Sequence, residues 1–272
     1  MTSSLFFRGS RLIAPLLVGV ALALCATASQ AAPAGATPER KIKIAFAGDS
    51  LVDNYWSGMT RALAANACLK NIVELGRYAR NGTGLTRGDR VYWPREIAHI
   101  GATFQPTMFV ISIGLNDRQF IVDANGARTP WGAPNWTDKY RQELEAFLKG
   151  AAASNAVVLL FGLPPMREDV DNNDALEKNR MFAEAVAKIA APNVHYIEPW
   201  KLKDDGPNVF SSYGPGKNGK LTLIRNSDGQ HFTVAGEDLL AGYLVPQVVR
   251  ALAGVDGRVG ECMNLKASEQ QH

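Results

Sequence analysis

The apolar positions of the chain come in two rhythms. Short β-type runs occur at Ile42, Ile44 and Phe46, at Ile72–Leu75, at Thr107–Ile113, at Ala156–Gly162 and at Val194–Ile197. The third and fourth are unbroken, which predicts strands buried on both faces, as in a parallel sheet. Between them lie longer stretches with helical spacing or helical composition: Tyr55–Cys68, Pro94–Gln105, Thr137–Ala153 and Asn173–Ala190. In the third of these Tyr140, Leu144, Phe147 and Leu148 form one stripe. Pro94 suits the first turn of its helix. A last helix runs to about Leu252 with Thr233 as its N-cap. Strands alternating with helices predict an α/β fold, a three-layer α/β/α domain with a mostly parallel sheet over residues 41–254. Residues 76–88, 121–136 and 198–227 read as loops. In the last of these Val209–Tyr213 and Leu221–Arg225 flank GPGKNGK as a candidate hairpin. The tail from 255 to 272 is expected to be peripheral.

In parallel α/β folds ligands gather at the carboxyl ends of the strands. Three polar clusters fall at or just after predicted strand ends: Gly48-Asp49-Ser50, Asn81–Gly84 and Gly114-Leu115-Asn116-Asp117. A fourth, Ser227-Asp228-Gly229-Gln230-His231, precedes the last helix. Each alone reads as a turn or a helix start; together and in this order they point to a site. Ser50, between a strand and a helix, has free backbone N–H groups beside it and can serve as a nucleophile. His231 can be its base, since imidazole as a group titrates near working pH. Asp228, three residues earlier, can orient the imidazole, a task a backbone carbonyl could share. The Ser50 N–H, a glycine N–H of the second cluster and the Asn116 amide are candidate oxyanion donors.

Composition narrows the setting. The 272 residues are 46% hydrophobic and 20% charged, an ordinary globular make-up. Arg8 and Arg11 ahead of the apolar run Leu12–Leu24, with Ser29-Gln30-Ala31 as a cleavage site, predict a signal peptide over 1–31 and a flexible leader over 32–40. A lipoprotein reading through Cys25 is weakened by bulky Leu24. Removing 1–31 takes away two arginines, so the formal charge of +3 becomes +1. That balance implies neither nucleic acid nor an anionic membrane as partner. No transmembrane segment is predicted in the mature chain, which is expected to be periplasmic or secreted. There Cys68 and Cys262 can pair in an oxidising compartment, two free buried thiols being the alternative. His99, His195, His231 and His272 are scattered and no four-ligand metal spacing occurs, so no metal is expected.

The clusters resemble the SGNH/GDSL hydrolase superfamily. Gly48-Asp49-Ser50 matches its first block, Asn81–Gly84 the second, Gly114–Asp117 the third and Asp228–His231 the fifth. Thr83-Gly84-Leu85, Trp93-Pro94 and Asn116-Asp117-Arg118-Gln119 also look like an exported bacterial subgroup. The resemblance implies a flavodoxin-like fold, no cofactor, and a triad of Ser50, His231 and Asp228. It implies an oxyanion hole of Ser50, Gly84 and Asn116, with Gly82 competing for the glycine place. The α/β-hydrolase alternative lacks its Gly-x-Ser-x-Gly elbow.

The resemblance and the export signal together suggest a serine esterase acting on small-molecule or glycan acyl esters, with short O-acyl or acetyl groups on a polysaccharide foremost. An O-acyltransferase and a non-catalytic glycan-binding protein are the alternatives. Trp56, Tyr92, Trp93, Trp131, Trp136 and Tyr213 are candidates for stacking on sugars or for ordinary packing. Arg87, Arg90, Arg95 and Arg118 are candidates for an acidic substrate or for solvated surface.

Overall fold

A computed structural model describes residues 40–202 and 209–262. The predicted signal peptide, nearly all of the leader and the last ten residues lie outside them.

Fifteen elements follow one another: β1 (Ile42–Gly48), α1 (Ser50–Ala64), α2 (Ala67–Ile72), β2 (Val73–Ala79), α3 (Trp93–Phe104), β3 (Met108–Ser112), β4 (Ile121–Val122), β5 (Arg128–Thr129), α4 (Trp136–Ala152), β6 (Val157–Phe161), α5 (Asp169–Ile189), β7 (Val194–Ile197), β8 (Tyr213–Pro215), β9 (Leu221–Leu223) and α6 (Val234–Ala253). Five strands make one parallel sheet in the order β2-β1-β3-β6-β7. β3 is buried along its whole length, as its unbroken apolar run requires, and β1 along all but Lys43. The strand order reverses direction after β2. With right-handed crossovers, α1 must then lie on one face and α3, α4 and α5 on the other. The packing agrees: α1 lies against α6, and α4 lies against both α3 and α5. The expected α/β/α three-layer fold is therefore observed.

Several boundaries differ from the sequence expectation, each for a local reason. The first helix begins at Ser50 rather than Tyr55, because the buried Asp49 side chain caps it by accepting from the Leu51 N–H at 2.9 Å. It also stops early, and Asn66 caps a separate α2 through Leu69 N–H at 3.1 Å. β2 runs on to Ala79, so Gly76, Arg77 and Tyr78 belong to a strand and not to a loop. It is an edge strand paired only with β1, and its half-exposed pattern hides it from an apolar-run reading. α5 starts at Asp169, four residues before the expected Asn173. The expected loop 121–136 holds the small hairpin β4–β5. The second hairpin does form, but with Gly214 and Pro215 inside its first strand.

The segment after α6 is not peripheral as far as it is described. Val259 and Cys262 are buried, and Cys262 is bonded to Cys68 across a separation of 194 residues. Among the described residues no helix is long and apolar enough to cross a membrane. A cross-link closing so long a loop restricts the unfolded chain strongly. The double variant Cys68→Ser/Cys262→Ser should therefore lose about 2–5 kcal/mol of stability. Urea denaturation of the oxidised protein and the variant checks this. Equal midpoints, with no free thiol in the oxidised protein, would show that the bridge adds nothing.

Candidate functional site

The site begins where β1 ends. Gly48 has a left-handed φ of +145°, and a Cβ there would stand 1.9 Å from the Ser112 carbonyl oxygen. Only glycine lets the chain leave β1 this close to β3. The next residue, Asp49, is wholly buried. One of its oxygens accepts from Leu51 N–H and the other from Leu115 N–H, both at 2.9 Å. A single carboxyl thus ties the start of α1 to the loop after β3. Ser50, the first residue of α1, has a backbone N–H with no intrahelical acceptor, at the positive end of the helix.

The Ser50 hydroxyl meets His231 from the far end of the chain. Ser50 Oγ lies 2.6 Å from His231 Nε2, and His231 Nδ1 lies 2.8 Å from Asp228 Oδ2. The other Asp228 oxygen accepts from Gln230 and His231 N–H at 2.8 and 2.9 Å. Burial pulls the Asp228 carboxyl upward, but these two N–H groups and the imidazole outweigh it, so its pKa is lowered. An ionised Asp228 holds the ring proton on Nδ1, which leaves Nε2 bare to accept from the Ser50 hydroxyl.

What shapes this loop is Arg225, a buried guanidinium whose hydrogen bonds to oxygen, among the described residues, all go to backbone carbonyls. It donates to the carbonyls of Pro165 at 2.8 Å, Gln230 at 2.7 Å and Gly229 at 3.3 Å. Its guanidinium also lies over the rings of Phe232 and Phe210, 4.2 and 4.9 Å from their centroids. Burial lowers its pKa to about 10. Arg167 adds bonds to the Ser227 and Asn226 carbonyls at 2.7 and 3.1 Å.

The second and third clusters are locked together by Asp117. It is fully buried and accepts from Leu85 N–H, Thr86 N–H, the Thr86 hydroxyl and the Tyr140 hydroxyl at 2.9–3.1 Å. A Cβ on Gly84 would stand 1.9 Å from Asp117 Oδ1, so only glycine fits there. Gly82, the competing choice for the oxyanion donor, lines the cleft with Asn81. Neither glycine N–H makes a hydrogen bond among the described residues. Asn116 lines the same cleft and spends one amide hydrogen on the Thr83 carbonyl at 2.9 Å, leaving the other free.

The cleft has a volume of about 600 Å³. Around Ser50 and His231 its walls carry four asparagine side chains, Asn54, Asn81, Asn116 and Asn226, and one aromatic, Trp56. Arg77 lies 5.6 Å from the Trp56 ring centroid and pairs with Asp53 at 2.6 Å. The other aromatics picked from sequence do not line it. Trp93 and Trp136 are buried, and Trp131 packs on Trp136. Of the arginines, Arg87 pairs with Asp89 and Arg118 with Asp171, across Asn116 from the cleft. Among the described residues no cluster of three His, Cys, Asp or Glu side chains is placed to hold a metal.

A family model described as "Protein of unknown function (DUF459)" matches residues 43–247, most of the chain and every element from the Ser50 turn to the His231 loop. The chain belongs to the DUF459 family. No curated protein matches this DUF459 member. Solved structures of the same fold do. A carbohydrate esterase family 3 protein from Talaromyces cellulolyticus is 14% identical, with a TM-score of 0.53 over 79% of this chain and 100% of its own. An acetyl xylan esterase, AlAXEase, is 19% identical, with a TM-score of 0.51 over 76% of this chain and 100% of its own. A catalytic mutant of an acetylxylan esterase from Geobacillus stearothermophilus is 16% identical, with a TM-score of 0.50 over 82% and 97%. The likeness to these esterase structures is one of fold, a mostly parallel central sheet flanked by helices.

Sequence reasoning missed Asn54, Arg77, Asn226 and Arg225. Starting the helix at Ser50 would have put Asp53, Asn54 and Ser57 on its face at helical spacing. Arg77 was hidden by the misread edge strand, and nothing local marks a lone Arg225 as buried.

Asp49 gives this DUF459 chain a testable pH signature. Burial raises its carboxyl, Leu51 and Leu115 N–H oppose the shift, Asp117 reinforces it, and the pKa reaches about 7. An unfolded aspartate releases its proton near 3.8. The folded form therefore binds the extra proton between those values, and its stability falls as pH rises from about 4 to about 7. The urea midpoint of Asp49→Asn should fall less over that range than that of the parent protein. Equal slopes would mean that Asp49 is ionised throughout.

Proposed function

We propose that this chain is a serine hydrolase of carboxylic esters, acting through Ser50, His231 and Asp228. The observation that carries the reading is the continuous relay from Ser50 Oγ through both His231 nitrogens to Asp228, at 2.6 and 2.8 Å. In the first half-reaction Ser50 Oγ attacks the ester carbonyl carbon while His231 Nε2 takes the hydroxyl proton. The tetrahedral oxyanion is held by the Ser50 and Gly82 N–H groups and by the free hydrogen of Asn116 Nδ2. Collapse breaks the bond to the alcohol oxygen, and His231 returns the proton to it. Water then attacks the acyl-enzyme with His231 again as base, releasing the acid and restoring Ser50.

The walls of the cleft favour an acylated sugar. Asn81 and Asn226 offer amide donors and acceptors to hydroxyl groups, and Trp56 offers a flat face to a ring. A long acyl chain would need a continuous apolar wall, which this cleft does not have. Two of the similar structures are acetyl xylan esterases, in line with short acyl groups on a polysaccharide. The export-type pattern of Met1–Ala31 supports a place in the periplasm or outside the cell, where such polymers lie.

The test is hydrolysis of p-nitrophenyl acetate, butyrate and octanoate by the mature protein, with covalent labelling by a fluorophosphonate probe. Turnover should fall with chain length, and Ser50→Ala should abolish both turnover and labelling. Asn116→Ala should lose about 10²–10³ in kcat. Among the described residues Nδ1 of His231 meets no acceptor other than Asp228. Asp228→Asn should therefore lose about as much as His231→Ala, on the order of 10³ or more. Turnover of all three esters that survives in Ser50→Ala would sink the assignment.

A further inference from the structure

The hairpin β8–β9 is turned inside out for a water-facing ribbon. Its register pairs Tyr213 with Leu223 and Pro215 with Leu221, so these four side chains share one face. The opposite face carries Gly214 and Thr222. Gly214 is buried against Leu202, Ile224 and Leu239, so that face is the inner one. The four apolar residues therefore point outward. Leu221 is 77% exposed, Tyr213 51% and Leu223 45%. Val234, 64% exposed, continues the surface around a groove of about 570 Å³ that Pro215, Thr222 and Leu239 also line. An antiparallel ribbon packed on one side ordinarily shows polar residues on the other.

The turn that joins the strands adds charge. Lys217 and Lys220 are both exposed. The nearby carboxylate of Asp238 is already shared between Lys217 at 3.1 Å and Arg61 at 2.7 Å. Lys220 has no acidic partner among the described residues. Leucines and a tyrosine beside lysines are the residues of a membrane–water boundary, where apolar side chains enter and lysines reach the phosphates. Two three-residue strands present far less surface than the roughly 800 Å² per partner of a standard protein interface.

We propose that this hairpin docks the protein on an anionic phospholipid bilayer. Tyr213, Leu221, Leu223 and Val234 seat at the level of the headgroups, and Lys217 and Lys220 pair with lipid phosphates. The chain's small net charge does not draw it there; the attraction is local to the turn. The same hairpin is bonded to the base of the His231 loop. Thr233 donates through its hydroxyl to the Leu223 carbonyl at 2.7 Å and through its N–H to Ile224 at 3.1 Å. Docking would thus hold the Ser50 cleft at a set place relative to the bilayer surface.

The test is co-sedimentation of the mature chain with vesicles of phosphatidylcholine alone or mixed with phosphatidylglycerol. Binding should appear only with the anionic lipid and weaken as salt is raised. Lys220→Gln should lower the partition coefficient about fivefold. Leu221→Ser/Leu223→Ser should lower it at least roughly tenfold. Unchanged urea midpoints would show that both variants are folded, and the experiment needs no ester hydrolysis. No binding to phosphatidylglycerol vesicles, or binding that both variants keep, overturns the proposal. So does a dimer in solution that the leucine variant dissolves while lipid binding is absent, since a second copy would then cover the face.

Discussion

The arrangement of the whole site depends on one buried carboxyl group. Asp49 sits in the gap left by Gly48, and its two oxygens hold the first backbone N–H groups of two different segments. Without it the start of α1 and the end of β3 would be joined only by main chain, through the Asp49 N–H bond to the Ser112 carbonyl at 3.1 Å. With it, the Ser50 hydroxyl and the Asn116 amide belong to one rigid unit. Burying an acid is costly unless its hydrogen bonds are met, and here the protein meets them with main chain alone. That choice leaves Asp49 no part in proton transfer, although it is one residue from Ser50.

The His231 side is built on the opposite principle. Arg225 is a buried cation whose two terminal nitrogens donate to carbonyl oxygens and whose face lies against phenylalanines. It defines the path of the loop from inside, as Asp117 does for the second cluster. Three charged residues, none of them touching the cleft directly, thus set the positions of the three groups that do. Such a site depends on a supporting shell, and each part of it comes from a different stretch of chain.

The fold was legible because its signals are strong and local: unbroken apolar runs for β3 and β6, Pro94 inside the first turn of α3, Thr233 capping α6. Ser50, Asp228 and His231 were legible as a group because four polar clusters, each an ordinary turn or helix start alone, occur together and in this order. The choice between Gly82 and Gly84 was not legible for a physical reason. The two look alike in sequence, and the direction of each N–H is set by the path of a loop that Asp117 holds from 32 residues away. Arg77, Asn226 and Arg225 owe their places to contacts across 24 to 60 residues, as in Arg77 with Asp53 and Arg225 with Pro165. No pattern within a short window carries that information.

The bond between Cys68 and Cys262 also bears on how the protein withstands cleavage. β2, β3, β6 and β7 all lie between the two cysteines. The link therefore spans four of the five strands of the sheet. Once it is shut, a protease that nicks any loop between the two cysteines produces a broken chain but not two molecules.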